Sequence, residues 1–160
     1  MPLAVKKIVT NYIWEVPTND NVLYLTFDDG PTPEITHWTL DILNNYQAKA
    51  TFFCIGDNVE KHPDIFSRIV SEGHAVGNHT QNHIKGWNTK TNKYIQNTVK
   101  AEAILEAQII KNCPQHDANS NSRKLNLFRP PYGQIKPKQG KKLIKLGYKI
   151  IMWDACVYNI

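Results

Sequence analysis

The residue types best suited to bind a metal ion occur in two short segments of the 160-residue chain. Asp28 and Asp29 stand together before Gly30, and His79 and His83 stand four residues apart. Two imidazoles at that spacing share one side of a helical turn, a common arrangement of metal ligands. One carboxylate and two histidines leave coordination positions open, as a catalytic metal ion requires. Each segment also has a plainer interpretation, because Asp-Gly is a turn signal and histidines are frequent on protein surfaces.

The two adjacent aspartates are expected to have different roles. Neighbouring side chains at the end of a strand point in opposite directions, so both carboxylates cannot easily serve one purpose. One of them can bind a metal ion while the other stays free as a base. The residues alone leave open which of Asp28 and Asp29 has which role.

A third segment, residues 129–133, combines a charged side chain with a restricted backbone. Its two prolines carry no N–H, so the first backbone donor after Arg129 is Tyr132, and Gly133 leaves room for a ligand to approach. A fixed N–H facing a metal ion suits an oxyanion site. Arg129 is suited to hold a carboxylate such as Asp28 ionised and oriented. The alternative is a rigid surface turn.

Five apolar runs predict the strands that position these segments. The runs are nearly continuous rather than alternating, which is typical of strands covered on both faces of a parallel sheet. They comprise residues 22–27, 50–55, 74–78, 125–128 and 148–153. The reactive residues follow the first, third, fourth and fifth runs, where residues 28–31, 79–83, 129–133 and Asp154 stand. Because active sites of parallel α/β folds form at the carboxyl ends of strands, we expect these four groups to meet at one rim.

Helical patterns separate the apolar runs. The first helix is predicted to be capped by Thr32, with Pro33 at its first position. Further helices are predicted at residues 63–72, 92–110 and 137–147, and the Asn- and Ser-rich residues 112–124 are predicted to form a surface loop. Four large apolar side chains recur on one face of the first helix: Ile35, Trp38, Ile42 and Tyr46.

Alternating strands and helices predict βαβ units in one domain over residues 1–160, as a barrel or a doubly wound sheet. Five strands are too few to close a parallel barrel, whose eight-stranded form needs roughly 250 residues. We therefore expect an incomplete domain whose C-terminal part is missing. The composition, 41% hydrophobic and 21% charged, excludes a disordered or collagen-like chain.

The cysteine pattern, the lengths of the apolar runs and the N-terminal residues limit the classes of protein to which this sequence can belong. Cys54, Cys113 and Cys156 form no C-x-x-C pattern, so they predict reduced and mostly buried thiols rather than a zinc knuckle or a disulfide scaffold. No apolar run approaches the roughly 18 residues needed to span a bilayer. No signal peptide is visible, so the location in the cell stays open.

The chain carries a formal charge of +5, and most of the excess lies in one stretch rich in lysine. This balance favours an anionic surface or polymer as partner but does not by itself indicate nucleic acid. Four lysines at helical spacing predict the solvated side of an amphipathic helix, with anion binding as the alternative. They are Lys138, Lys142, Lys145 and Lys149.

Three motifs in order resemble those of the polysaccharide deacetylases, the NodB-homology domains of carbohydrate esterase family four. These motifs are residues 26–31, residues 79–83 and residues 129–133, and residues 48–53 resemble the second strand of that family. The resemblance runs from about Val22 to Trp153. It implies a distorted, incomplete (β/α) barrel of the NodB-homology type that lacks its last strands.

The resemblance also implies a role for each residue of the motifs. Asp29, His79 and His83 would bind a divalent metal ion, most often zinc, with cobalt, manganese or nickel as alternatives. Asp28 would be the general base, Arg129 would orient it, and the Tyr132 N–H would contact the oxyanion. The implied reaction removes N-acetyl groups from an aminosugar polymer such as chitin or peptidoglycan and releases acetate. We also expect a monomer that does not bind nucleic acid, because the basic residues form no nucleic-acid motif and have no interleaved aromatic side chains.

The sequence departs from the family pattern after Trp153. Cys156 and Asn159 stand where carboxylates are common, Ile160 stands where Trp is common, and the Leu-x-His motif that supplies the general acid has no counterpart. A non-catalytic metal- or glycan-binding module is therefore the alternative, and a nucleic-acid binder is a weaker one. Trp87 and Trp153 could stack on sugar rings at the rim, and burial in the core is the alternative for both.

Overall fold

In a computed structural model that describes residues 11–112 and 125–153, the chain forms a parallel sheet of five strands. The strands follow one another across the sheet in chain order, from β1 to β5. They are β1 (Thr26–Asp28), β2 (Thr51–Cys54), β3 (Ala75–Asn78), β4 (Leu127–Phe128) and β5 (Lys149–Ile150). The predicted α/β class with an incomplete barrel is thereby confirmed.

Helices connect the strands, as βαβ units require. They are α1 (Ile35–Asn45), α2 (Gly56–Lys61), α3 (Pro63–Ser71), α4 (Thr91–Asn112) and α5 (Pro137–Lys145), with a 3₁₀ turn at Pro131–Gly133. The predicted helices at residues 63–72 and 92–110 agree with α3 and α4 to within two residues. The sequence did not predict α2, because six residues are too few to show a helical period. The predicted surface loop lies almost entirely outside the described residues.

The predicted start of the first helix is wrong. Helix α1 begins at Ile35, and the preceding residue is Glu34, which has a positive φ of 62°. The Thr32 N–H donates to the Thr36 hydroxyl at 2.9 Å. Thr32 therefore contacts a side chain of the helix and does not act as its N-cap. The backbone between Pro31 and the helix is therefore a loop, in which Pro33 precedes the helix.

The apolar side chains predicted on one face of α1 do share a face, but that face is exposed. Trp38 is 66% and Tyr46 is 78% exposed, while Leu40 is fully buried on the opposite side of the helix. Residues 22–25 were also wrongly predicted as strand, since they precede β1 and Leu23 is 80% exposed. Among the described residues, nothing covers these apolar side chains.

The core divides into two clusters of buried side chains. The larger one lies between the first two strands and helices α1 to α4, with Leu40, Phe52, Phe66 and Leu105 at its centre. The smaller one packs Tyr94 and the two last strands against α5. Cys54 belongs to the larger cluster and is fully buried as predicted, and burial raises the pKa of its thiol. Cys113 and Cys156 lie outside the described residues.

The last helix is shorter than predicted. Helix α5 ends at Lys145, so Lys149 is not on the helical face with Lys138, Lys142 and Lys145 but in β5, where it pairs with Leu127. The buried side of α5 carries Leu143 and leaves the lysines on the outside. The predicted solvated face is thus confirmed for the three helical lysines.

Candidate metal centre

Asp29, His79 and His83 meet at the carboxyl ends of the strands. The Asp29 Oδ1 atom lies 3.4 Å from His79 Nε2 and 3.0 Å from His83 Nε2. One ligand atom from each residue can be chosen so that all lie within 4.8 Å of one another, which is the spacing of atoms around a single cation. The His79 side chain is 3% exposed, whereas that of Asp29 is 60% exposed, so the cluster is anchored in the fold and open toward solvent.

Parallel pairing explains why residues fifty positions apart lie together. Strand β2 pairs with both β1 and β3, and Asp28 and Asn78 end the two outer strands at the same edge of the sheet. Asp29 and His79 are the residues immediately after those strands. The two histidines come together through a loop with positive φ at Thr80 and His83, not through the helical turn that their spacing predicts.

Buried amides hold that loop in place. Asn78 is fully buried; its side chain accepts from the Thr80 N–H at 2.8 Å and donates to the Thr98 carbonyl at 2.8 Å. Asn97 in α4 accepts from the Gln81 N–H at 3.0 Å. The roles of these residues were not evident from the sequence. The only signal in the sequence was an amide at the end of an apolar strand, and nothing pointed to a partner in a helix twenty residues away.

The hydrogen bond of His79 Nδ1 leaves the other ring nitrogen, Nε2, to face Asp29. His79 Nδ1 lies 2.7 Å from the Arg129 carbonyl oxygen, which can only accept, so Nδ1 carries the proton. In the neutral ring Nε2 then carries a lone pair, and this lone pair faces the Asp29 carboxylate. Two acceptors in contact require a proton or a metal ion between them. The pKa of Asp29 lies well below its usual range because the His79 and His83 side chains contact its carboxylate, which is therefore ionised.

Two imidazole nitrogens and one carboxylate oxygen form a donor set that suits a divalent transition metal ion. A backbone carbonyl on the outer nitrogen is the usual second partner of a metal-binding histidine, because it fixes the tautomer and the ring orientation. The residues present therefore fit such an ion. They leave coordination positions open, as catalysis requires.

Asp28 points away from this cluster and pairs with Arg129. The Arg129 Nη1 atom donates to Asp28 Oδ1 and to the Thr26 hydroxyl, both at 2.8 Å, and Nη2 donates to the Met152 carbonyl at 3.0 Å. The guanidinium lies over the Phe53 ring, 4.1 Å from its centroid. Arg129 is itself only 3% exposed, so Asp28 is held by a cation that cannot move away.

The 3₁₀ turn presents one backbone donor to the same rim. Tyr132 has a positive φ of 57°, and within the described residues its N–H has no hydrogen-bond partner. The Tyr132 ring lies 4.5 Å from that of His83, between centroids. Gly133 follows with φ 66°, and a Cβ there would lie 2.9 Å from the Trp153 ring, so only glycine fits.

The two tryptophans differ in their surroundings. Trp87 is 60% exposed in the loop after His83 and is available for stacking. Trp153 is half-buried, with its ring 5.7 Å from the Arg129 guanidinium, so packing dominates there. Asp154, Cys156, Asn159 and Ile160 lie outside the described residues.

A profile of polysaccharide deacetylases matches residues 15–151. The chain belongs to the polysaccharide deacetylase family. A peptidoglycan-N-acetylglucosamine deacetylase of Bacillus cereus is 35% identical over 146 residues, which cover 91% of this chain and 62% of the relative. The carbohydrate esterase family four named above is therefore the family of this chain, and the expected resemblance is confirmed.

Solved structures of deacetylases share the fold. A peptidoglycan N-acetylglucosamine deacetylase in complex with a hydroxamate ligand has 33% identity and a TM-score of 0.79, over 94% of this chain and 64% of that one. A family pseudoenzyme mutant with restored enzymatic activity has 27% identity and a TM-score of 0.72, over 84% and 45%. The chain thus spans less than two thirds of the length of these deacetylases.

None of the helices within residues 11–112 and 125–153 has both the length and the apolar character needed to cross a bilayer.

Proposed function

We propose that this deacetylase-family chain hydrolyses N-acetyl groups of an aminosugar polymer, of the chitin or peptidoglycan type, and releases acetate. The observation that carries the proposal is the separation of the two aspartates. Asp29 faces two histidine nitrogens, while Asp28 stands beside them, held by Arg129 and outside the ligand cluster. A hydrolase of this kind needs such a division between metal ligand and base.

Asp29, His79 and His83 would hold the metal ion, with zinc as the first candidate and cobalt, manganese and nickel as alternatives. When bound, a divalent ion lowers the pKa of water and polarises a carbonyl. The chain's own residues supply the remaining chemistry. In the described residues Asp28 Oδ2 has no hydrogen-bond partner, and Arg129 holds the carboxylate in place through Oδ1, so Asp28 can take a proton from the attacking water.

Tyr132 acts on the acetyl oxygen, whereas Asp28 acts on the attacking water. Its N–H donates to the acetyl oxygen as negative charge develops there. The water oxygen bonds to the acetyl carbon and its proton passes to Asp28; the C–N bond then breaks, the amine takes a proton back from Asp28 or from an additional general acid, and acetate leaves. Positioning by a backbone group is effective because the prolines and Gly133 fix the turn.

Acetate release from N-acetylglucosamine oligomers and from peptidoglycan, with added Zn²⁺ or Co²⁺, tests this proposal. Asp28→Asn keeps the shape of the side chain and removes the base, so we expect release to fall by about 10²–10⁴-fold while the metal content is unchanged. Asp57→Asn, an exposed aspartate in α2, is the control and should retain full activity. Equal activity of Asp28→Asn and the native chain would exclude Asp28 as the base.

We also propose that the domain over residues 1–160 is completed by further polypeptide that supplies the general acid. The support is the outer edge of β1, which no other strand of the described residues pairs with, and a cavity of about 330 Å³ beside it, lined mainly by apolar side chains from residues 13–16, residues 22–24 and residues 151–153. The apolar outer face of α1 is a second surface that no described residue covers.

Extending the chain with the corresponding part of the Bacillus cereus relative should raise acetate release. A positioned general acid typically contributes about 10²–10⁴-fold. An extension that folds and leaves acetate release unchanged would show that no such completion is needed.

The second candidate is a non-catalytic module that binds metal and glycan. Two observations favour it: the sequence has no assigned general acid, and the family includes the pseudoenzyme described above. Glycan binding without acetate release, in both the native and the extended chain, would establish this alternative.

A further inference from the structure

The charges of the described residues are divided between two parts of the chain. Residues 11–72 carry ten acidic and three basic side chains. Residues 73–101 and 125–153 together carry eleven basic side chains and no acidic one, and residues 102–112, the C-terminal half of α4, carry Glu102, Glu106 and Lys111. Because β1 and β2 lie at one side of the sheet and β4 and β5 at the other, this division along the sequence is also a division across the molecule.

Most of these basic side chains form one surface, which we call the lysine face. Helix α5 packs beside the start of α4, where Lys136 Nζ donates to the Thr89 carbonyl at 3.0 Å and Lys142 Nζ donates to Asn92 Oδ1 at 2.8 Å. Both partners are neutral, so the charges stay uncompensated. The lysine face comprises Lys85, Lys90, Lys93, Lys136, Lys138, Lys141, Lys142 and Lys145.

The lysine face carries charge without internal compensation. Within residues 11–112 and 125–153, none of its lysines forms an ion pair with a carboxylate. Clustered like charges repel one another and raise the local concentration of anions. Two of the three basic residues on the acidic side differ, since Lys61 and Arg68 both pair with carboxylates there.

The lysine face reaches the candidate metal centre. Lys85 Nζ lies 4.8 Å from the centroid of the Tyr132 ring, and that ring lies 4.5 Å from the His83 ring. A polymer lying on the lysine face therefore ends beside the ligand cluster. Trp87, in the same loop, offers an exposed ring along that path.

We propose that the lysine face binds an anionic glycan, a sugar polymer with carboxylate or phosphate groups, and guides it to the metal centre. The proposal rests on the proposed function only for the sugar nature of the polymer. A glycan fits better than a nucleic acid because the face continues from a centre built to act on N-acetyl sugars. The acidic side of the molecule repels the same polymer and so orients it.

Binding of labelled chitin oligomers of equal length tests the proposal without any need for turnover. Carboxymethyl chitin and phosphorylated chitin carry charge, and glycol chitin does not. We expect either charged oligomer to bind at least about tenfold more tightly than glycol chitin in 50 mM salt, with the difference largely lost in 500 mM salt because exposed ion pairs are screened. The tighter of the two charged oligomers identifies the anion. Equal affinity for all three would overturn the proposal.

Two triple variants with the same change in net charge locate the binding surface. Lys138→Gln, Lys141→Gln and Lys145→Gln together should weaken binding of carboxymethyl chitin about tenfold. Lys49→Gln, Lys61→Gln and Lys111→Gln together should weaken it less than twofold, since these lysines lie outside the lysine face. Equal losses would mean that net charge alone attracts the polymer. If a triple variant does not fold, single substitutions at Lys141 and Lys61 give the same comparison, with about a twofold loss expected only for Lys141→Gln.

A thymidine oligomer with the same number of charges distinguishes the class of polymer. Weaker binding than carboxymethyl chitin supports the glycan, and tighter binding overturns it. Failure of acetate release together with normal glycan binding would contradict the proposed function and leave this inference intact.

Discussion

Arg129 lies between two regions that differ in burial and in hydrogen bonding. On the rim, His79 and Asn78 are almost completely buried, and their polar groups bond to backbone carbonyls and N–H groups. On the side of β1, Leu23 and Tyr24 are mostly exposed around an open cavity. The packing of β3, β4 and α4 thus positions the two histidines of the candidate metal centre, and the β1 side adds Asp29 to it, with Asp28 beside the cluster.

The largest expected effect is the loss of the cation site on the rim. In His79→Ala combined with His83→Ala, two of the three ligands are removed, so we expect metal content to fall from about one ion per chain to nearly none. Elemental analysis after dialysis against Zn²⁺ measures it. His62→Ala, outside the cluster, is the control and should keep its metal. Equal metal in the native chain and the double variant would refute the site.

A smaller effect is expected where the two regions meet. Arg129→Met keeps an unbranched apolar stem but leaves the Asp28 carboxylate without its cation and the buried Met152 carbonyl without a donor. We expect a loss of about 2–3 kcal/mol in the free energy of unfolding, because buried acceptors lose hydrogen bonds from a charged donor. Urea unfolding measures this. Lys61→Met breaks an exposed pair and should cost less than about 1 kcal/mol. Similar values for both variants would mean that Arg129 does not hold the two regions together.

The smallest effect is expected on the open side. Trp38→Gln removes a large aromatic ring, yet the ring is mostly exposed, so stability should change by no more than about 0.5 kcal/mol. Leu40→Ala, two residues away on the buried face of the same helix, should cost about 2–5 kcal/mol. Thermal unfolding of both variants makes the comparison. A loss of more than about 1 kcal/mol in Trp38→Gln would show that the outer face of α1 is covered in the isolated chain.

The position of the reactive groups could be predicted because it depends on a general rule of parallel sheets. Asp28, His79 and Arg129 each follow or end an apolar run, and the carboxyl ends of parallel strands share one edge. The way in which the ligands turn toward one another could not be predicted. Positive φ angles at Asp29, Thr80, His83 and Tyr132 are costly for residues with a side chain, and no sequence pattern announces them.

The buried face of α1 could not be predicted because it depends on tertiary contacts rather than on the local sequence. Ile35, Trp38, Ile42 and Tyr46 have the period of a helix, and this period is real, but a period does not reveal which face meets a neighbour. The helix buries Thr36, Thr39, Leu40 and Leu43 instead. Which face is covered depends on the elements that surround the helix, and these are distant in the sequence.

The amino-acid sequence alone determined the class of fold, the order of strands and helices, and the residue types available for chemistry, because these follow from local periodicity and from motifs. Tertiary structure decided the rest. It placed Nε2 of two histidines against one carboxylate, separated Asp28 from Asp29, and collected the lysines of α5 and of the residues before α4 on one surface. These are relations between residues far apart in the chain, and they exist only once packing has fixed the distances.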